Sequence, residues 1–171
     1  MTRFHKHLHT IGARCLTSAL VFFLCACSPI SPQLKREVNP AITLARLMKD
    51  AQRFKDETVL LGGRIIGTQV KKNQTIIEVL QFPLDYQDRP DPSGSSEGRF
   101  LVTLDQYLDP AIFAEDRLIT VVGRVAGTKT GKIGGIEYTY PLLAARGVHL
   151  WEVLYGPPAF TFGFGIGAHI H

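Results

Sequence analysis

The sequence predicts a mainly β domain, a small five-stranded antiparallel barrel with a short N-terminal helix and a helical turn between strands three and four. Three observations carry that expectation. Runs of alternating apolar and polar residues recur between residues 58 and 151, glycine and other turn residues punctuate them, and helical spacing of apolar residues precedes them.

The helix comes first. Leu44, Leu47, Met48 and Ala51 fall on one helical face, Thr43 can cap it, and Lys49, Asp50, Gln52 and Arg53 face away, so a helix is expected over residues 44–53. Thr58 to Thr68 then reads as a strand, and Thr75 to Phe82 as its hairpin partner across Lys71-Lys72-Asn73. Arg99 to Leu104 sets Phe100, Val102 and Leu104 on one face of a third strand. The stretch between, PLDYQDRPDPSGSSEG, is rich in Pro, Ser and Gly and is expected to be a long exposed loop. Asp109-Pro110 opens a short helical turn, with Asp109 as cap and Pro110 in the first helical position. Leu118 to Thr128 alternates as a fourth strand. Ile136 to Tyr140 and Val148 to Trp151, beyond the glycines at 131, 134 and 135, close the domain. Helix, turn and five short strands in this order resemble the oligonucleotide/oligosaccharide-binding (OB) barrel.

Gly63-Arg64-Ile65-Ile66-Gly67-Thr68 is echoed sixty residues later by Gly123-Arg124-Val125-Ala126-Gly127-Thr128. A duplicated ligand clamp would produce such an echo. So would two strands that bend sharply at a barrel wall, and bulge physics favours this second reading.

The N-terminus is built differently. A cationic start (Arg3, Lys6, Arg14) leads into an apolar run from Cys15 to Leu24 and then Leu24-Cys25-Ala26-Cys27. The run is shorter than the roughly 20 residues that cross a bilayer, so it reads as an export signal. Leu24 and Ala26 before Cys27 resemble the lipobox, with Cys25 departing from the more usual small residues at its position. The resemblance implies cleavage after residue 26, a lipid on the Cys27 thiol and acylation of the new amine. Ser28 stands where an Asp would hold such a protein at the inner membrane of enteric bacteria, which implies delivery to the outer membrane. Three acyl chains, at about 0.8 kcal/mol per buried methylene, would anchor the chain durably. The expected organisation is therefore a signal peptide over 1–26, lipidated Cys and mobile tether over 27–40, the barrel over 41–155, and a poorly ordered Gly/aromatic tail over 156–171.

Cleavage changes what the composition means. It removes three basic residues and no acids, so Lys plus Arg falls from 19 to 16 against 15 acids. A net charge near +1 gives no ground for nucleic acid as a partner. Cys15 and Cys25 are lost as well, leaving Cys27 without a disulfide partner.

No nucleophile elbow, phosphate-binding loop or metal-spaced Cys pair is present in the mature region, so no catalytic residue, cofactor or metal site is expected. His149, His169 and His171 lack Cys or acidic companions. Asp85, Asp88 and Asp91 lack the ligand order of a calcium loop, and a solvated loop is the plainer reading. Tyr138, Tyr140 and Trp151 suggest a stacking platform, weighed against ordinary strand packing.

The blocks VLLGGRIIGTQVKKNQTIIEVLQFPLD, GRFLVTLDQYLDP and LITVVGRVAGTKTGKIGGIEYTYPLLAARGVHLW resemble the Slp family of outer-membrane lipoproteins, the starvation-inducible lipoprotein group, over residues 40–152. Gly62-Gly63, Pro83-Leu84-Asp85, Gly98-Arg99-Phe100, Asp109-Pro110, Val122-Gly123, Tyr140-Pro141 and Leu150-Trp151 are the most specific. The resemblance implies a non-enzymatic, periplasm-facing protein of the outer membrane with a stress or stationary-phase envelope role. The alternative expectation is a lipid-anchored binding module for a glycan, a peptidoglycan fragment or an envelope protein. In both, the membrane is a partner through the lipid on Cys27.

Overall fold

The computed structural model describes residues 30–72 and 74–152. Five strands, β1 (Thr58–Lys71), β2 (Gln74–Gln81), β3 (Arg99–Leu104), β4 (Leu118–Ile133) and β5 (Ile136–Leu150), close into a barrel in the order β1-β2-β3-β5-β4. Four pairings are antiparallel; the fifth, β3 with β5, is parallel and joins Leu101–Thr103 to Leu142–Ala144. The two closing runs expected at 136–140 and 148–151 belong to one long strand, because β5 stays paired to β4 from Ile136 to Leu150.

The echoed glycine motifs are the bends of this barrel. In the β1–β2 ladder the register skips Ile66, and in the β4–β5 ladder it skips Ala126, the same position of the repeated motif. Each bulge sharpens the local twist and lets one long strand serve two neighbours. Gly127 beside the second bulge has φ +121°, which side-chain-bearing residues rarely adopt. At Gly63 a β-carbon would lie 1.9 Å from the carbonyl oxygen of Leu80, so the two backbones meet where only hydrogen fits.

Alternate residues point inward. Val59 and Ile65 of β1, Ile77 and Val79 of β2, Phe100 and Val102 of β3, Val121 and Val125 of β4 and Leu143 of β5 are all fully buried in one cluster. Among the described residues two α-helices precede the barrel, α1 (Pro32–Arg36) and α2 (Leu44–Asp50). The second adds Leu44, Leu47 and Ala51 to the same cluster, each fully removed Leu contributing about 1.5–3 kcal/mol. Its Thr43 hydroxyl accepts the Arg46 amide, as expected of a cap. The helix is shorter than expected. The Asp50 carboxylate accepts the Arg53 amide at 3.2 Å, and Gln52–Phe54 tightens into a 3-10 turn.

The segment expected to be a mobile tether carries a helix, and the loop expected to be long and exposed is so over most of its length while two of its residues anchor it to the barrel. The tether expected over 27–40 is ordered from Ile30, which is buried, and α1 within it is capped by Ser31 and led by Pro32. Short-range pattern gave no sign of this helix because its anchors lie far away in the chain. Leu34 sits over Gly147, Glu37 pairs with Arg146, and Lys35 pairs with Asp88. Residues 82–98 form the expected exposed loop, anchored where Leu84 and Pro90 bridge above Gly62, at which a β-carbon would clash with both. The expected turn after β3 is a single one, in which the Asp109 carbonyl accepts the Phe113 amide at 3.0 Å and its carboxylate accepts the Ala111 amide at 2.8 Å.

Candidate ligand-binding face

In the closed ring, β4 lies opposite the β2–β3 pair, and the two sides of the barrel are finished differently. Outward-facing Thr120 and Val122 of β4 are fully buried although neither belongs to the interior cluster. Helix α1 and the 82–98 segment cover this side. On the other side the extended β4–β5 hairpin curls over the outer face of β1, β2 and β3. A groove of about 200 Å³ remains beneath it, with Gln69, Ile76, Glu78 and Leu101 below and exposed Lys129 and Lys132 on the hairpin.

A charged network fixes the floor of that groove. Glu78 Oε1 accepts from Arg99 Nη1 at 2.8 Å and from the Tyr140 hydroxyl at 3.2 Å. Burial, and then the negative charge of Glu78, push the Tyr140 phenol above its ordinary pKa. Tyr138 packs edge-on against Tyr140 with ring centroids 4.6 Å apart. Its oxygen accepts the Arg99 amide at 2.9 Å and its hydroxyl points at the Met48 sulfur 3.7 Å away. Gly98, at φ +132°, makes this possible, since a β-carbon there would stand 2.7 Å from the Tyr138 oxygen.

The expected aromatic trio is thus divided. Tyr138 and Tyr140 stand together, with Tyr140 only 4 % exposed. Trp151 lies just beyond the far end of β5, thirteen positions after Tyr138. Its indole N–H donates to Thr120 at 2.9 Å, His149 meets its ring edge-on at 4.6 Å, and the Arg89 guanidinium lies 5.3 Å from its centroid. Burial lowers the His149 pKa.

The loop aspartates are engaged in local structure. Asp85 accepts the Gln87 and Arg89 amides, Asp91 accepts from Ser93, and Asp88 pairs with Lys35. The Ser93 bonds hold the Asp91 carboxyl below its usual range. Among the described residues no three His, Cys, Asp or Glu gather as a metal site would require. Cys27, Ser28, His169 and His171 lie outside the described residues.

A second groove, about 490 Å³, opens where β3 parts from β5, floored by Leu104, Leu108 and Phe113 and rimmed by Arg146. Glu37 already holds that arginine. The β2–β3 face is the better candidate because its lysines stand exposed around a groove with fixed polar groups. Sequence reasoning missed Glu78, Arg99, Lys129 and Lys132. Alternation along β2 and β3, which sets Glu78 and Arg99 on the outer face, was the one signal that hinted at any of them.

The fold and this face define an OB-like barrel with one side covered and the other open. The family model described as the outer membrane lipoprotein Slp family matches residues 24–161, and the chain belongs to that family. The match is longer than the blocks noted above and takes in Cys27. A Haemophilus influenzae protein is 42 % identical over 98 residues, covering 57 % of this chain and 53 % of that protein. The chain therefore spans about half of that relative. Two Escherichia coli proteins, the lipoprotein YeaY and outer membrane protein Slp, are 28 % and 26 % identical, each over 81 % of this chain and over 72 % and 74 % of their own lengths. Among solved structures, a small single-stranded DNA-binding protein of Streptomyces coelicolor has 14 % identity and a TM-score of 0.36, over 54 % of this chain and 91 % of its own.

Proposed function

We propose that this protein is a non-catalytic, lipid-anchored component of the outer membrane, facing the periplasm, with a stress or stationary-phase role in the cell envelope. Membership of an outer-membrane lipoprotein family supports the location, and Leu24-Cys25-Ala26-Cys27 supplies the attachment residue, with Ser28 directing export onward. Radiolabelled palmitate should mark the wild-type chain and leave Cys27→Ser unmarked; label on the variant refutes the anchor.

A second reading gives the barrel its work. We infer that the β2–β3 face binds a peptidoglycan fragment, a glycan whose stem peptide carries carboxylates. The observation favouring this is the groove with fixed Glu78, Arg99 and Tyr140 below and Lys129 and Lys132 above. Exposed ammonium groups complement carboxylates, while the polar floor suits sugar hydroxyls. Tyr138 braces Tyr140, and Trp151 belongs to the opposite side. Calorimetric titration of the lipoprotein in detergent with soluble muropeptides should show saturable binding that Lys129→Glu with Lys132→Glu weakens about tenfold or more. Equal heats from both proteins would remove this reading.

A further inference from the structure

The groove beneath the β4–β5 hairpin is one part of a longer trough. Cross-strand rows on the outer face of β1, β2 and β3 form its floor: Gly67, Glu78 and Leu101 in the first, Gln69, Ile76 and Thr103 in the second, Lys71 and Gln74 in the third. The third row is completed by Asp105, just past the end of β3, whose carboxylate accepts the Gln74 side-chain amide at 3.0 Å. Residues of the first two rows line the groove of about 200 Å³, and Lys71, Lys72, Gln74 and Asp105 line a hollow of about 490 Å³. Side chains on one face of a strand recur at every second residue, so the hollow continues the groove along the same face, roughly 13 Å of strand from Glu78 to Gln74.

Positive charge gathers at two stations of this trough. Lys129 and Lys132 stand exposed at one, Lys71 and Lys72 at the other. Of the acids near them, Glu78 is held by Arg99 and Tyr140, Asp105 by Gln74, and Glu137 lies across the hairpin from Lys132. Among the described residues none of the four lysines makes an ion pair. Between the stations the floor is uncharged, with Gln69, Ile76 and Thr103. Two pairs of ammonium groups separated in this way complement a ligand that carries carboxylates at two separated points.

We propose that the trough binds a cross-linked peptidoglycan fragment along its length, one stem peptide at Lys129 and Lys132 and the other at Lys71 and Lys72. This rests on the reading of the β2–β3 face as a peptidoglycan site. Once the first arm is seated, the second binds from the same molecule at an effective concentration set by the short link between them, so a two-armed fragment is held more tightly than a one-armed one without any new kind of contact. Lys71 and Lys72 decide that preference and add little to the hold on a monomer, which sits over Glu78, Arg99 and Tyr140.

The test is a calorimetric titration of the lipoprotein in detergent with a monomeric muropeptide and with its cross-linked dimer. The dimer should bind the wild type about tenfold more tightly than the monomer. Lys71→Gln with Lys72→Asn removes both charges at exposed positions, and Asn suits the left-handed backbone of Lys72, at φ 55°. To this variant the monomer should bind within about twofold of its wild-type affinity, while the dimer falls to within about twofold of the monomer. Monomer binding with no dimer preference beyond the statistical factor of about two, a preference that survives the substitution, or an equal loss for both ligands overturns this inference and leaves the reading of the face standing. Saturable binding of neither fragment to the wild type overturns both. Thermal melts matching the wild type confirm that the variant is folded.

Discussion

The indole nitrogen of Trp151 donates to the hydroxyl of Thr120 at 2.9 Å, and Thr120 donates onward to the carbonyl of Asp88 at 2.7 Å. Thr120 is fully buried on the outside of β4, so its hydroxyl acts as a rivet between the end of β5 and the covering loop. Without it, two part-buried hydrogen bonds are lost together, one from the indole N–H and one to the Asp88 carbonyl.

Thr120→Val keeps the shape and deletes both bonds. It should cost about 2 kcal/mol in urea unfolding, while Thr120→Ser, which retains the hydroxyl, should cost less than about 1 kcal/mol. Trp151 fluorescence should shift to the red in the Val variant before global unfolding as the loop loosens. Equal stability of the two variants would show that the hydroxyl carries no weight.

The glycines of the first echoed motif should respond in opposite directions. Gly63→Ala drives a β-carbon to within 1.9 Å of the Leu80 carbonyl, a backbone atom that cannot step aside. A loss of about 3–5 kcal/mol, or failure to fold, is expected. At Gly67 nothing lies within 4 Å of the added carbon, so Gly67→Ala should be neutral or gain up to about 1 kcal/mol. Thermal melts of the pair decide the matter.

Stability should fall on mild acidification because of His149. Burial lowers its folded-state pKa below the ordinary value, so the unfolded chain binds the proton more readily. Its contribution is complete above about pH 6.5 and is lost as pH falls from there through the folded-state value. His149→Gln should flatten the dependence of the denaturation midpoint between about pH 7 and pH 5. Asp91 and Glu37, whose pKa values are depressed by Ser93 and Arg146, contribute their losses at lower pH, as it falls from the ordinary carboxylate value through their depressed ones.

Removing the charge of Glu78 should be read in Tyr140. Glu78→Gln abolishes the repulsion felt by the phenolate, leaving burial as the main cause of its raised pKa, so ultraviolet titration should find that Tyr140 ionises at lower pH than in the wild type. The half-buried Glu78–Arg99 pair should cost about 1 kcal/mol when broken. An unchanged phenol titration would mean that burial alone sets it.

Much of the fold was legible because it depends on local pattern. Alternation at Phe100, Val102 and Leu104, the Thr43 cap and the Asp109-Pro110 turn act over a few residues and appear where expected. The glycine echo was legible for the same reason, since a bend in a barrel wall leaves its mark at the bend. Helix α1 was not, because five residues between prolines are held by Gly147, Arg146 and Asp88, all more than fifty residues away. The site was the least legible part. Glu78, Arg99 and Tyr140 lie on three strands and meet only when β5 is laid parallel to β3.

Read alone, the sequence carried the β character of the domain, the positions of its bends and the family. All of these are encoded in short runs of residue type, where periodicity, ring constraints and the absence of a β-carbon act on the nearest neighbours. The closed barrel settled which side is sealed, that α1 and Trp151 are joined through Asp88 and Thr120, and that Tyr138 and Tyr140 stand apart from Trp151. Those facts depend on closing the ring β1-β2-β3-β5-β4, and closure is a long-range balance of packing and hydrogen bonding that no local pattern encodes.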